Sequence, residues 1–129
     1  MSATRPRPLL RVLVPLAIMA AIFYLSSQPF DGPELPWYEL AARKLGHVAG
    51  YATLTAAWWW ALVGRVRRPL IAAVVISLLY ACTDEYHQTF VEGRHGSPVD
   101  VGVDSVGIAL ASLAIQLRFA RPGERLEQQ

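Results

Sequence analysis

Four apolar stretches restrict this chain more than any other feature: Leu9 to Leu25, Val48 to Val63, Leu70 to Cys82 and Val101 to Phe119, each nearly free of charge. A helix with one face in water repeats polar residues every three or four positions on that face. These stretches mostly lack that repeat, so their solvent is lipid. Each is at or just under the roughly 20 residues that a helix needs to cross the hydrocarbon core. The 129 residues therefore read as one all-α domain, residues 1–129, an integral membrane bundle of four transmembrane helices. The expected spans lie at about residues 9–26, 47–64, 69–84 and 100–119. The third is the shortest unless it extends through Pro69 and Thr83, and it would otherwise rely on local bilayer thinning or snorkelling flanks. Pro15 falls early in the first span, where neighbouring helices can satisfy the carbonyl it frees.

Arg5, Arg7 and Arg11 ahead of an apolar run are also the pattern of a secretory leader. The run ends in "YLSSQP" without a small-x-small cleavage site, and three further apolar stretches follow, so it reads as a span. The chain is 53% apolar and 17% charged, with a net charge of only +2 confined to short clusters, which excludes a broad basic face for nucleic acid. Its single cysteine, Cys82, excludes an internal disulfide and a thiol pair for a metal.

Charge placement sets the orientation. Arg5, Arg7, Arg11, Arg65, Arg67, Arg68, Arg118, Arg121 and Arg125 all fall on one side of the expected spans, nine of the twelve basic residues. Asp31, Glu34, Glu39, Asp84, Glu85, Glu92, Asp100 and Asp104 lie on or near the other. By the positive-inside rule both termini are cytoplasmic, and the polar segments Gln28 to Gly46 and Tyr86 to Pro98 share the outer surface.

The titratable groups gather at that outer surface. On a helix, Lys44, His47 and Tyr51 are spaced i, i+3 and i+7 and share a face at the mouth of the second span. Interfacial anchoring accounts for such a set as readily as a site does. Trp58, Trp59 and Trp60, toward the inner end, read as an aromatic belt and packing. At the end of the third span, Asp84 shares a face with His87 and Gln88, while Glu85 points to an adjacent one. Desolvation and mutual repulsion disfavour a doubly charged carboxylate pair, which suits one member to general acid–base work. Asp84, Glu85 and His47 are thus the catalytic candidates, and with His87 they are the candidate ligands of a divalent metal. Asp104 lies one turn after Asp100 on a stripe continued by Gly107 and Ala111, about 6 Å deeper by the helical rise. A carboxylate in a membrane helix needs a partner, since at the bilayer centre it costs roughly 2.5–3.5 kcal/mol. Arg94, between Gly93 and Gly96, is the cation expected to pair with Asp100 or Asp104, or to hold an anionic substrate. Ser97 and Ser105 read as turn and packing residues, and no serine or cysteine nucleophile with a base is visible.

The segments "KLGHVAGYATL" and "DEYHQTFVEGRHGSPVDVGVDSVG", together with "YLSSQP", resemble the VanZ-like family of small bacterial membrane proteins, over the chain from Tyr24 to Ala111. The family elements fall on Ser26, Ser27 and Gln28; on Lys44, His47 and Tyr51; on Asp84, Glu85 and Gln88; on Arg94; and on Asp100, Asp104 and Gly107. Asp104 stands where the family often has asparagine, and Ala111 where it often has a second glycine. The resemblance implies a multi-pass protein of the bacterial plasma membrane and an association with resistance to the glycopeptide teicoplanin, without a reaction. The expected role is binding or processing of a lipid-linked or phosphate-bearing envelope component, with Lys44, Tyr51, Gln88, Arg94, Asp100 and Asp104 holding it. The competing role is a non-catalytic scaffold or accessory protein whose charges form a structural network. Membrane lipids are the expected partners in either case. Reporter fusions at residues 92 and 129 should give opposite readouts, and an outward C terminus would overturn the orientation.

Overall fold

The protein's architecture is given by a computed structural model that describes residues 8–28, 36–91 and 97–119. The described residues form four helices and no strand: α1 (Pro8–Ser26), α2 (Trp37–Leu62), α3 (Pro69–Gln88) and α4 (Pro98–Phe119). Local sequence sets their ends. Pro69 at the start of α3 places a residue without an N–H where none is required. Gly64, at φ +80°, takes the left-handed conformation that ends α2 and turns the chain toward α3. Ser97 accepts the Val99 N–H on its hydroxyl oxygen and caps α4. Pro15 lies buried within α1.

α1, α3 and α4 are each long and apolar enough to cross a membrane. α2 falls short of that measure. Its segment from Leu45 to Leu62 carries glycines, threonines, a histidine and three tryptophans, residues that suit contact with other helices better than contact with lipid. α2 and α3 each touch all three other helices, whereas α1 and α4 do not pack on each other.

Two expectations about element bounds need correction. The segment from Gln28 to Gly46 was expected as an outer loop, yet from Trp37 onward it is the first part of α2. "WYELAARKLGH" is rich in strong helix formers, and hydropathy locates lipid contact, not the end of a helix. Likewise α3 continues past residue 84 to Gln88, which takes Glu85 through Gln88 into the same unbroken helix and gives it 20 residues.

The bundle is polar within and apolar without. Its buried polar side chains are Ser26, Thr55, Ser77, Asp84, Glu85, Gln88 and Asp104, beside a small apolar core of Tyr51, Leu54, Ala81 and Ile108. Leu9, Leu13, Leu16, Phe23, Ile71, Val75, Leu79, Val106, Leu110, Leu113 and Leu117 all point outward. Water would reverse that arrangement, and lipid favours it. Inter-helix hydrogen bonds tie the interior: Thr55 Oγ1 to Ser77 Oγ at 3.1 Å joins α2 to α3, and the Tyr80 hydroxyl donates to the Met19 carbonyl of α1. At the arginine-rich end, Arg11 sits 5.1 Å from the Trp60 ring centroid, and Trp59 packs against Phe119 at 4.8 Å. The tryptophans pack there as expected.

Both α2 and α4 start at the acid-rich end, so they run parallel, and they approach closely at Gly107. A Cβ on Gly107 would collide with the backbone carbonyl of Val48, whereas one on Gly50 would meet only Ile22 side-chain atoms at 3.8 Å. Gly107→Ala should therefore force α2 and α4 apart and lose about 1–3 kcal/mol to overpacking. Gly50→Ala should be neutral or gain up to ~1 kcal/mol of helix propensity. Thermal unfolding of the two variants in detergent checks the contrast; equal stability would mean that the close approach is absent.

Candidate functional site

The close approach at Gly107 brings two rows of side chains into register. Working inward along the parallel pair, Lys44 Nζ meets Asp100 Oδ1 at 3.2 Å, and His47 Nδ1 meets Asp104 Oδ1 at 3.1 Å. The Lys44–Asp100 pair is partly exposed, so water screens it and it contributes little stability. Asp104 differs, because only 1% of it is exposed.

Asp84, also 1% exposed, arrives from α3. Its Oδ2 accepts two hydrogen bonds, from Ser26 Oγ of α1 at 3.0 Å and from the Tyr51 hydroxyl of α2 at 3.2 Å. The Tyr51 ring lies nearly parallel to that of His47, centroids 6.5 Å apart, which limits how the imidazole can turn. His47, Asp84 and Asp104 each place a ligand atom within 4.8 Å of the others. One oxygen of each carboxylate, Asp84 Oδ1 and Asp104 Oδ2, is buried without a hydrogen-bond partner among the described residues. One residue from each of three helices thus faces a common point.

Glu85 and His87 lie elsewhere. Glu85 Oε1 accepts the Ser97 N–H at 2.8 Å, which places a carboxylate at the positive end of α4. The His87 ring packs on Phe23, centroids 4.4 Å apart. In the structure it is Asp104, and neither Glu85 nor His87, that stands beside His47 and Asp84. Gln88 is buried one turn beyond Asp84. Arg94 lies outside the described residues; among those described, Asp100 is met by Lys44 and Asp104 by His47.

Beside the cluster is a pocket of about 400 Å³ between α1 and α2. Ile22, Leu25 and Gly50 line its apolar wall, Ser26, His47 and Tyr51 its polar side, and Gln28 and Arg43 also border it. Two contributors escaped the sequence reading. Ser26 was visible only as part of a serine-rich helix end, and no spacing rule links it to Asp84, 58 positions away. Arg43 precedes Lys44 at the start of what looked like a span and carried no separate signal.

Helices fit to cross a membrane, with a polar interior that gathers two buried carboxylates and a histidine, define a helical membrane protein with a polar site between its helices. The VanZ/LLP1 family model matches residues 11–119, and the chain belongs to this family, as its motifs indicated. No curated protein and no solved structure shows significant similarity to it.

The contact of Glu85 with Ser97 can be tested by itself. Glu85→Ala leaves the Ser97 N–H unpaired, a loss of about 1–3 kcal/mol, whereas Glu85→Gln retains an acceptor. Amide exchange at the first turn of α4 should accelerate roughly tenfold or more in the alanine variant and much less in the glutamine variant. Unchanged exchange in both would remove Glu85 from the capping role.

Proposed function

We propose that this protein is a multi-pass protein of the bacterial plasma membrane that binds or processes a lipid-linked or phosphate-bearing component of the cell envelope at an outward-facing polar site. In this reading α2 is the fourth span, enclosed by the other three, and both termini are cytoplasmic. The separation of charge supports that orientation, because Arg11, Arg65, Arg67, Arg68 and Arg118 lie at the end of the bundle opposite the acid–histidine cluster.

The pocket between α1 and α2 carries the proposal. One wall of aliphatic side chains and one of Ser26, His47 and Tyr51, with Arg43 on its border, match an amphipathic ligand whose chain lies against Ile22 and Leu25. Its anionic headgroup would be drawn to Arg43 and to nearby Lys44. His47 is the imidazole on the pocket wall, the side-chain type suited to proton transfer near neutral pH, and Asp104 behind it orients the ring. Any proton transfer to or from the ligand would pass through His47. The association with glycopeptide resistance, carried over from the family resemblance, sets this ligand in the cell envelope.

A scaffold reading also has a specific observation behind it. Asp84 joins three helices through Ser26 and Tyr51, as a purely structural network would. The two readings separate on isosteric variants. Asp84→Asn keeps the shape and one acceptor oxygen, and His47→Gln keeps polarity without the imidazole. At matched membrane abundance, both variants should lose the glycopeptide-resistance phenotype, and the protein purified from them should retain at least tenfold less anionic lipid by mass spectrometry. Equal lipid retention and an equal phenotype would leave the scaffold standing.

A further inference from the structure

The two unpartnered carboxylate oxygens remain to be explained. Asp84 Oδ2 is satisfied by two hydroxyls and Asp104 Oδ1 by His47, yet Asp84 Oδ1 and Asp104 Oδ2 are buried with nothing to accept from among the described residues. Buried polar atoms in native proteins nearly always have partners. With a neutral imidazole the cluster carries a formal charge of −2, and Lys44 pairs with Asp100 instead.

We propose that His47, Asp84 and Asp104 form a binding site for one divalent transition-metal cation. The inference deepens the proposed function, resting on the same site. Geometry supports it first. Bonds of about 2.1 Å put neighbouring ligands of a tetrahedral ion roughly 3.4 Å apart. His47 Nδ1 and Asp104 Oδ1 are already 3.1 Å apart, and all three ligand atoms fall within 4.8 Å of one another. Donor chemistry points the same way: one imidazole and two carboxylates, without a thiol, suit zinc, manganese or iron(II) better than copper(I), and the imidazole disfavours magnesium.

The surroundings resemble those of known ligand sets. Ser26 and Tyr51 hold Asp84 by the oxygen the ion does not need, and the stacked Tyr51 ring restrains His47. Three protein ligands leave a further coordination position for an exogenous oxygen. His47 lines the pocket, which supplies a route for entry. The ligands come from α2, α3 and α4, so the ion also joins three helices.

The test uses full-length protein in detergent, stripped with chelator and titrated with zinc or manganese by calorimetry. One ion should bind per chain and raise the thermal unfolding temperature. Asp84→Asn and Asp104→Asn should each weaken binding about tenfold or more. Ser112→Ala, two turns further along α4, should bind as the parent does. Because either aspartate variant can misfold, a second measurement needs no variant: pulsed electron paramagnetic resonance of bound manganese should detect imidazole nitrogen coupling. Absence of saturable binding, binding that both aspartate variants retain, or manganese without nitrogen coupling would each overturn the site. A stripped protein that takes up no ion yet retains anionic lipid overturns the metal and leaves the lipid reading intact. An ion-binding protein that retains no lipid supports the metal and sinks the lipid reading.

Discussion

Two carboxylates, Asp84 and Asp104, are buried inside a bundle whose outer surface is aliphatic, and the rest of the structure answers to that constraint. In lipid, neither can turn outward for water, so every polar partner has to come from another helix. Ser26 reaches Asp84 from α1, Tyr51 reaches it from α2, and His47 of α2 reaches Asp104 on α4. All four helices are held by these three contacts. The hydrophobic effect, which would drive such closure in water, gives no preference between two apolar surfaces when lipid is the alternative. Polar contacts and close steric fit then determine which faces meet.

α2 is the helix on which this fit depends. It does not reach the apolar length of the other three, and its small and hydroxyl-bearing residues allow three neighbours to approach. The close approach of Gly107 to the backbone of Val48 fixes the spacing of the parallel α2–α4 pair there. That spacing sets whether Lys44 meets Asp100 and His47 meets Asp104. A packing contact at Val48, the residue next to the histidine, therefore governs the geometry of the site. Glu85 does comparable work at the mouth of the bundle, where its carboxylate fixes the first turn of α4 and with it the height of Asp100 and Asp104.

The two ends of the bundle differ in chemistry. One holds arginines and packed tryptophans, residues that anchor a helix at a membrane–water boundary. The other concentrates carboxylates, a histidine and a lysine around a pocket with one apolar wall. A ligand with a hydrocarbon part and an anionic head matches both halves of that pocket. The same division keeps the cationic boundary away from the buried acids, which would otherwise pair with arginine and lose their free oxygens.

The helices themselves were legible in the sequence, because lipid selects for apolar length and that property is local. α1 and α4 fall within two residues of the expected spans, and the one-sided distribution of arginine could be read without a fold. Lys44, His47, Tyr51, Asp84 and Asp104 could likewise be singled out, since polar groups in apolar segments stand out and their spacing matches the VanZ motifs. The start of α2 at Trp37 could not be found from hydropathy, which reports the solvent around a segment and not its backbone. Nor could the grouping of the acids. Sequence neighbours suggested Asp84 with Glu85 and His87, but a helix turns adjacent residues by about 100°, so Glu85 faces the start of α4 and His87 faces Phe23. Asp104 joined His47 and Asp84 because Gly107 lets α4 lie against α2. That juxtaposition belongs to tertiary packing, because it brings together residues 57 positions apart whose distance no local rule constrains.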